Sequence, residues 1–123
     1  DPLTEYPFYL GHADELGAGA GLGFNLNVPL PAGTDAPTWF AALQVIIERV
    51  REYRPDVLIV ALGVDTAQVD PISSFALCSD DFTRIGQALA QLGLPTLFTM
   101  EGGYAVAEIG VNVANVLQGF EAI

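Results

Sequence analysis

Apolar positions along this chain fall into three patterns. Residues 57–62, VLIVAL, are apolar without a break, and residues 95–100, PTLFTM, nearly so. A short unbroken run of β-branched and aliphatic side chains between turn residues predicts a strand buried on both faces, as inside a parallel sheet. Elsewhere apolar residues recur every three to four positions. Phe40, Leu43, Ile46, Ile47 and Val50 predict a helix from about Pro37 to Tyr53, capped by Thr34 or Asp35. Phe82, Ile85, Leu89 and Leu92 predict a second, capped by Ser79 or Asp80 and stopped by Gly93. Val106, Ile109, Val113, Val116, Leu117 and Phe120 predict a third, from about Ala105 to Phe120. The third pattern is strict alternation. Phe24, Leu26, Val28 and Leu30 against Asn25, Asn27 and Pro29 predict a half-buried strand, with Pro29 placing it at a sheet edge or strand end.

The predicted order is β-α-β-α-β-α. Crossovers of this length make successive strands parallel, so the expected class is α/β, a parallel sheet with helices on its faces. Residues 1–23 show no period; they combine Tyr6, Phe8 and Tyr9 with a glycine run from Gly17 to Gly23 and predict a long loop. The run lacks G-x-G-x-x-G spacing, a preceding strand and a following Lys, which argues against a phosphate-binding loop. Residues 1–123 are thus expected to form one partial domain, a loop over 1–23 and a layered unit over 24–123.

Composition changes this picture in two ways. At 51% hydrophobic and 15% charged residues over 123 positions, the chain is apolar for its size, and a three-strand sheet leaves two open edges. We therefore expect an apolar surface that belongs against further strands, through association with an N-terminal half or with another copy. The net charge of −11, with four basic residues and no Lys, argues against nucleic acid or an anionic membrane as partner and is compatible with a cationic substrate. No run reaches the roughly 18 apolar residues of a membrane helix. One Cys, Cys78, excludes an intrachain disulfide, and a cytoplasmic setting is the expectation. One His, His12, excludes a two-His or three-His zinc site built by this chain alone.

Chemistry is expected where parallel strands end. Asp65 follows the strand at 57–62, and Tyr104 follows the strand at 95–100 after Glu101-Gly102-Gly103. A carboxylate there suits a metal ligand and a phenol suits an oxyanion donor. A lone Asp after a strand is more often a turn or cap residue, and a Tyr after Gly-Gly is more often a packing residue with a solvated hydroxyl.

Four segments, YPFYLGHADE, GAGAGLGFNLNVPLP, ALGVDTAQVDP with SSFALCSDDF, and EGGY, together resemble the C-terminal half of the histone deacetylase superfamily. The flavour is that of bacterial acetylpolyamine amidohydrolases and related deacetylase-like amidohydrolases. The resemblance implies an arginase/deacetylase-like three-layer α/β fold, with residues 1–23 as an active-site loop. It implies a zinc-dependent hydrolase of acetylated amines or acetyl-lysine in the intact enzyme. Asp65 matches a zinc ligand, Tyr104 the tyrosine that stabilises the tetrahedral oxyanion, and Gly102 and Gly103 the turn carrying it. Phe8, or Tyr9, matches the aromatic wall of the substrate tunnel, and His12 falls in the GHADE segment as a substrate contact. The family's His-His pair and its Asp-x-His zinc ligands have no match here and are expected upstream of residue 1; Ala67 stands where relatives often carry His. This chain alone is thus expected to be inactive, the rival reading being a non-catalytic α/β piece acting through binding or association.

Overall fold

A computed structural model describes residues 8–122. Helix α1 spans Ala36–Tyr53, strand β1 Leu58–Leu62, helix α2 Ser79–Ala90, strand β2 Thr96–Met100 and helix α3 Ile109–Glu121. A single 3-10 turn covers Gly19–Gly21. The chain is α/β, with a parallel sheet flanked by helices.

The helix ends follow from local chemistry. Asp35 Oδ1 accepts the Thr38 N–H at 3.0 Å, and Pro37 fills the first turn of α1, where no N–H is needed. The hydrogen bonds from Thr38 hold the Asp35 carboxyl below its usual range. At its other end Arg54 adopts a left-handed φ of 54° before Pro55. Cys78, not Ser79 or Asp80, is the N-cap of α2. Asp81 reaches back from the first turn to accept the Cys78 N–H at 3.0 Å and its thiol at 3.2 Å, and pairs with Arg84 at 2.8 Å. Burial pushes the Asp81 carboxyl up, but those hydrogen bonds and the Arg84 charge outweigh it and leave the group below its ordinary value. α3 starts four residues later than its apolar period predicts. The Ala105 carbonyl accepts from both Glu108 and Ile109, so a tight turn precedes the regular helix.

β1 and β2 pair in parallel, from Leu58 opposite Thr96 to Leu62 opposite Met100. Leu62, Val64, Ala67, Leu77, Phe82, Ile85 and Val116 form the core. Around it pack Trp39 and Leu43 of α1, Val60 and Phe98 of the strands, and Val113 of α3. Phe98 meets Phe120 edge-to-face at 5.2 Å, tying β2 to α3. The Arg84 guanidinium lies 3.9 Å over the Phe40 ring and ties α2 to α1. α2 and α3 cross where Gly86 and Gly119 sit: a Cβ on Gly86 would strike the Val116 carbonyl, and one on Gly119 the Thr83 carbonyl. The helix backbones themselves are in contact there.

Two expectations are corrected. Residues 24–30 are irregular rather than the first strand, so the unit is α-β-α-β-α behind a long loop. Their alternation is real, but Asn25 and Asn27 use their side chains to hold the preceding loop, as described below, and Pro29 has no N–H for a ladder. The strands are also not covered on both faces among the described residues. Leu58, Val60 and Leu62 turn inward, while Ile59 is 66% exposed, and Leu97 and Met100 of β2 are exposed too. An apolar cleft of about 350 Å³ lies beside β1, lined by Trp39, Leu43 and Ile47 of α1 and by Ile85 and Leu89 of α2.

Candidate functional site

The parallel pairing brings both strand ends to one rim and continues past the strands. Glu101 N–H donates to the Leu62 carbonyl at 2.9 Å, and Val64 N–H donates to the Gly102 carbonyl at 2.8 Å. Val64 is buried and anchors the β1 exit in the core. The next residue, Asp65, is half-buried, and its carboxylate lies directly against two glycines. A Cβ on Gly63 would stand 2.8 Å from Asp65 Oδ1, and a Cβ on Gly102 would overlap the carboxylate. The next glycine, Gly103, has a φ of 154°, and a Cβ there would press Val64 Cγ2 at 2.7 Å. The Gly102–Gly103 turn therefore rides on the β1 exit with no space for side chains. Tyr104 follows with its side chain 53% exposed.

Sequence reasoning missed the residue that holds this turn. Asp70 is 5% exposed, and its Oδ2 accepts the Tyr104 N–H at 2.7 Å and the Ala105 N–H at 3.1 Å. Its Oδ1 accepts the Ile72 N–H at 3.1 Å. The Asp70-Pro71 pair looks like an ordinary loop dipeptide, and nothing local distinguishes it; only the fold brings its three N–H donors together.

The loop carrying Phe8, Tyr9 and His12 is organised by a second carboxylate. Glu15 Oε2 accepts the Gly11 N–H at 2.7 Å and the Asn27 side-chain amide at 2.8 Å. Asn27 also donates to the His12 carbonyl at 2.9 Å, and the Asn25 amide donates to the Glu15 carbonyl. Gly17 packs against the Gly21 carbonyl. Phe8 and Tyr9 both adopt left-handed backbone, with φ of 51° and 65°, and both side chains are exposed. Such conformations are uncommon outside glycine and concentrate at functional sites. Glu15, Asn25 and Asn27 were legible only as polar residues of a loop and a strand face. Tyr6 lies outside the described residues.

Chemically the rim offers one anionic oxygen donor, Asp65, and one exposed phenol, Tyr104, on adjoining backbone. Among the described residues no three His, Cys, Asp or Glu side chains cluster to hold a metal ion. A catalytic zinc takes three protein ligands and keeps one open position, so these residues by themselves do not fit a complete zinc centre.

The family model for the histone deacetylase domain matches residues 1–120. Acetylpolyamine amidohydrolase 2 of Pseudomonas aeruginosa is 58% identical over 123 residues, covering 100% of this chain and 36% of the relative. Histone deacetylase 8 of Arabidopsis thaliana is 35% identical over 115 residues, covering 89% of this chain and 30% of the relative. Among solved structures, an acetylpolyamine aminohydrolase from Burkholderia pseudomallei superposes with a TM-score of 0.96 at 38% identity, over 99% of this chain and 36% of the other. The chain spans about a third of the length of these relatives.

Proposed function

The chain belongs to the histone deacetylase domain family, and from that premise we propose that it forms part of a zinc-dependent amidohydrolase acting on acetylated amines. The observation that carries this reading is the shared rim, where the Asp65 carboxylate lies against the turn that delivers Tyr104. In the family such enzymes are generally zinc-dependent. Asp65 would be one of the metal's ligands, and the others would lie beyond the described residues. Because the residues here do not make the centre, the only chemical step assigned to them is Tyr104's. As the amide carbonyl carbon becomes tetrahedral, its oxygen gains negative charge, and the Tyr104 hydroxyl donates a hydrogen bond to it. Such a donor contributes roughly 100- to 1000-fold in rate. Phe8, Tyr9 and His12 would border the substrate, as the resemblance implies.

Tyr104→Phe in the full-length protein tests this. The expected outcome is unchanged zinc content with turnover reduced roughly 100- to 1000-fold; wild-type turnover refutes the role. Asp65→Asn should lower zinc content, and a full complement of metal in that variant removes Asp65 from the ligand set.

Acetylated polyamines and acetyl-lysine are the two substrate classes proposed. The net charge of −11 favours a cationic amine over a neutral one. Rates on acetylputrescine and on an acetyl-lysine peptide should fall as salt rises, and equal turnover of a neutral amide would overturn the preference. A second reading rests on the described residues, among which no three His, Cys, Asp or Glu side chains cluster: taken alone, the chain acts only by binding or association. Zinc titration separates the two, since tight stoichiometric binding by this chain alone contradicts the second reading.

A further inference from the structure

Asp70 is a buried carboxylate whose only described partners are backbone N–H groups. It lies in the loop after β1, and two of its three donors, the Tyr104 and Ala105 N–H groups, lie 34 and 35 residues further along, just past β2. The third, Ile72, lies in its own turn. The carboxylate is itself fixed, because Asp70 N–H donates to the Ala67 carbonyl at 2.9 Å and its own carbonyl accepts from Ser73 at 3.1 Å. Ala67 is buried and bridges to Leu77 in the core. A rigid chain of contacts thus runs from the core through Ala67 and Asp70 to the peptide on either side of the Tyr104 Cα.

The Val64 N–H fixes the Gly102 carbonyl upstream, but among the described residues only Asp70 accepts the Tyr104 and Ala105 N–H groups. Gly103, between Gly102 and Tyr104, adopts a φ of 154°, and Tyr104 is more than half exposed. Without Asp70 the peptide of Tyr104 would be free to rotate, and the phenol, some 6–7 Å from its Cα by side-chain geometry, would sweep a correspondingly wider arc.

We propose that Asp70 is the positioning residue for Tyr104: by accepting the N–H groups of Tyr104 and Ala105 it fixes where the phenol stands over the rim. This rests on the reading of Tyr104 as the oxyanion donor. Charge-assisted hydrogen bonds from backbone N–H to carboxylate are strong and directional, and a misplacement of about 1 Å at a reacting group costs on the order of 100-fold in rate. The described partners of the Asp70 carboxylate are all backbone N–H groups, so on this proposal its effect runs through Tyr104.

The test is a double-mutant cycle in the full-length protein: Asp70→Asn, Tyr104→Phe and the pair, each with kcat, KM, zinc content, thermal melting and amide hydrogen exchange over residues 102–105. Asp70→Asn is expected to lower kcat about 10- to 100-fold at nearly unchanged KM and zinc content, and to speed exchange of the Tyr104 and Ala105 amides. In the Tyr104→Phe background the same change should alter kcat less than about 2-fold, because the group it positions is gone. An equal loss in both backgrounds makes Asp70 merely structural and overturns the proposal, as does wild-type kcat in Asp70→Asn. Should Asp70→Asn fail to fold, Ala105→Pro removes one of the two N–H donors and leaves the carboxylate intact. It should reduce kcat in the wild-type background only, and a loss that persists with Tyr104→Phe overturns the proposal. Wild-type turnover in Tyr104→Phe alone refutes the donor reading itself and removes the premise, an outcome the single variant reports separately.

Discussion

Glycines that admit no Cβ mark both the α2–α3 crossing and the rim, and the difference lies in what presses on them. At the α2–α3 crossing, Gly86 and Gly119 face main-chain atoms of the opposite helix. At the rim, Gly63 and Gly102 face the Asp65 carboxylate. A main-chain carbonyl inside a helix has nowhere to go, so the crossing glycines set how closely two helices pack. A carboxylate at the end of a side chain can swing away at little structural cost, so the rim glycines set where an acid stands. The first pair therefore governs stability, and on the proposed reading of Asp65 and Tyr104 the second governs chemistry.

The sharpest break of that comparison is Gly102→Ala. Its Cβ displaces Asp65, and in the full-length protein turnover should fall on the order of 100-fold, about 2.7 kcal/mol, with the melting midpoint moved little. Steady-state kinetics beside thermal melting decide it, and a stability loss matching the activity loss would erase the distinction between the regions. Next comes Gly86→Ala. Overpacking costs typically 1–3 kcal/mol, and better helix propensity returns about 1, so a net loss of up to about 2 kcal/mol is expected in a guanidinium titration, with kcat per folded molecule unchanged.

Asp81→Asn should weaken the start of α2 by about 1 kcal/mol near neutral pH. The wild-type carboxyl is lowered from 3.8, so its contribution is full above that pH and is lost as pH falls through the lowered value. The gap between wild type and Asp81→Asn should therefore close in acid, and a gap that widens there contradicts the assignment. The smallest effect has the opposite sign. Gly110, also in α3, has nothing within 4 Å of a Cβ, so Gly110→Ala should stabilise by about 0.5–1 kcal/mol, visible as a raised melting temperature.

These two regions also differ in how legible they were. The helices could be read because Phe82, Ile85, Val113 and Val116 repeat at helical spacing and pack in or against the core, while Ile46, Val106 and Leu117 of the same stripes are exposed. β1 and β2 could be read from their apolar runs and their order from the crossover length. Asp65 and Tyr104 could be placed at one rim because parallel strands end on the same side. The stretch at 24–30 could not: Asn25 and Asn27 alternate with apolar residues as a strand's outer face would, yet their amides serve Glu15 and His12 instead. Composition announced an uncovered apolar surface, but not that it is a strand face, because an apolar run reports what a strand is suited to meet rather than what lies beside it. Asp70 was hidden for a third reason. Its partners are N–H groups, which every residue but proline carries, so no side-chain pattern announces them.

The separation of Asp70 from the peptides it holds has a consequence in time. During synthesis Asp70 emerges 34 residues before Tyr104. At about 5–20 residues per second, that interval lasts roughly 2–7 seconds. Throughout it the carboxylate is hydrated, and the turn it will hold has not been made. Pairing of β1 with β2 must also wait for the second strand, since contacts distant in sequence form only after the intervening loop has been closed. The nascent chain can begin to settle α1 and α2 early, whereas the rim waits until the Asp70 carboxylate gives up its water to grip a segment translated seconds afterwards.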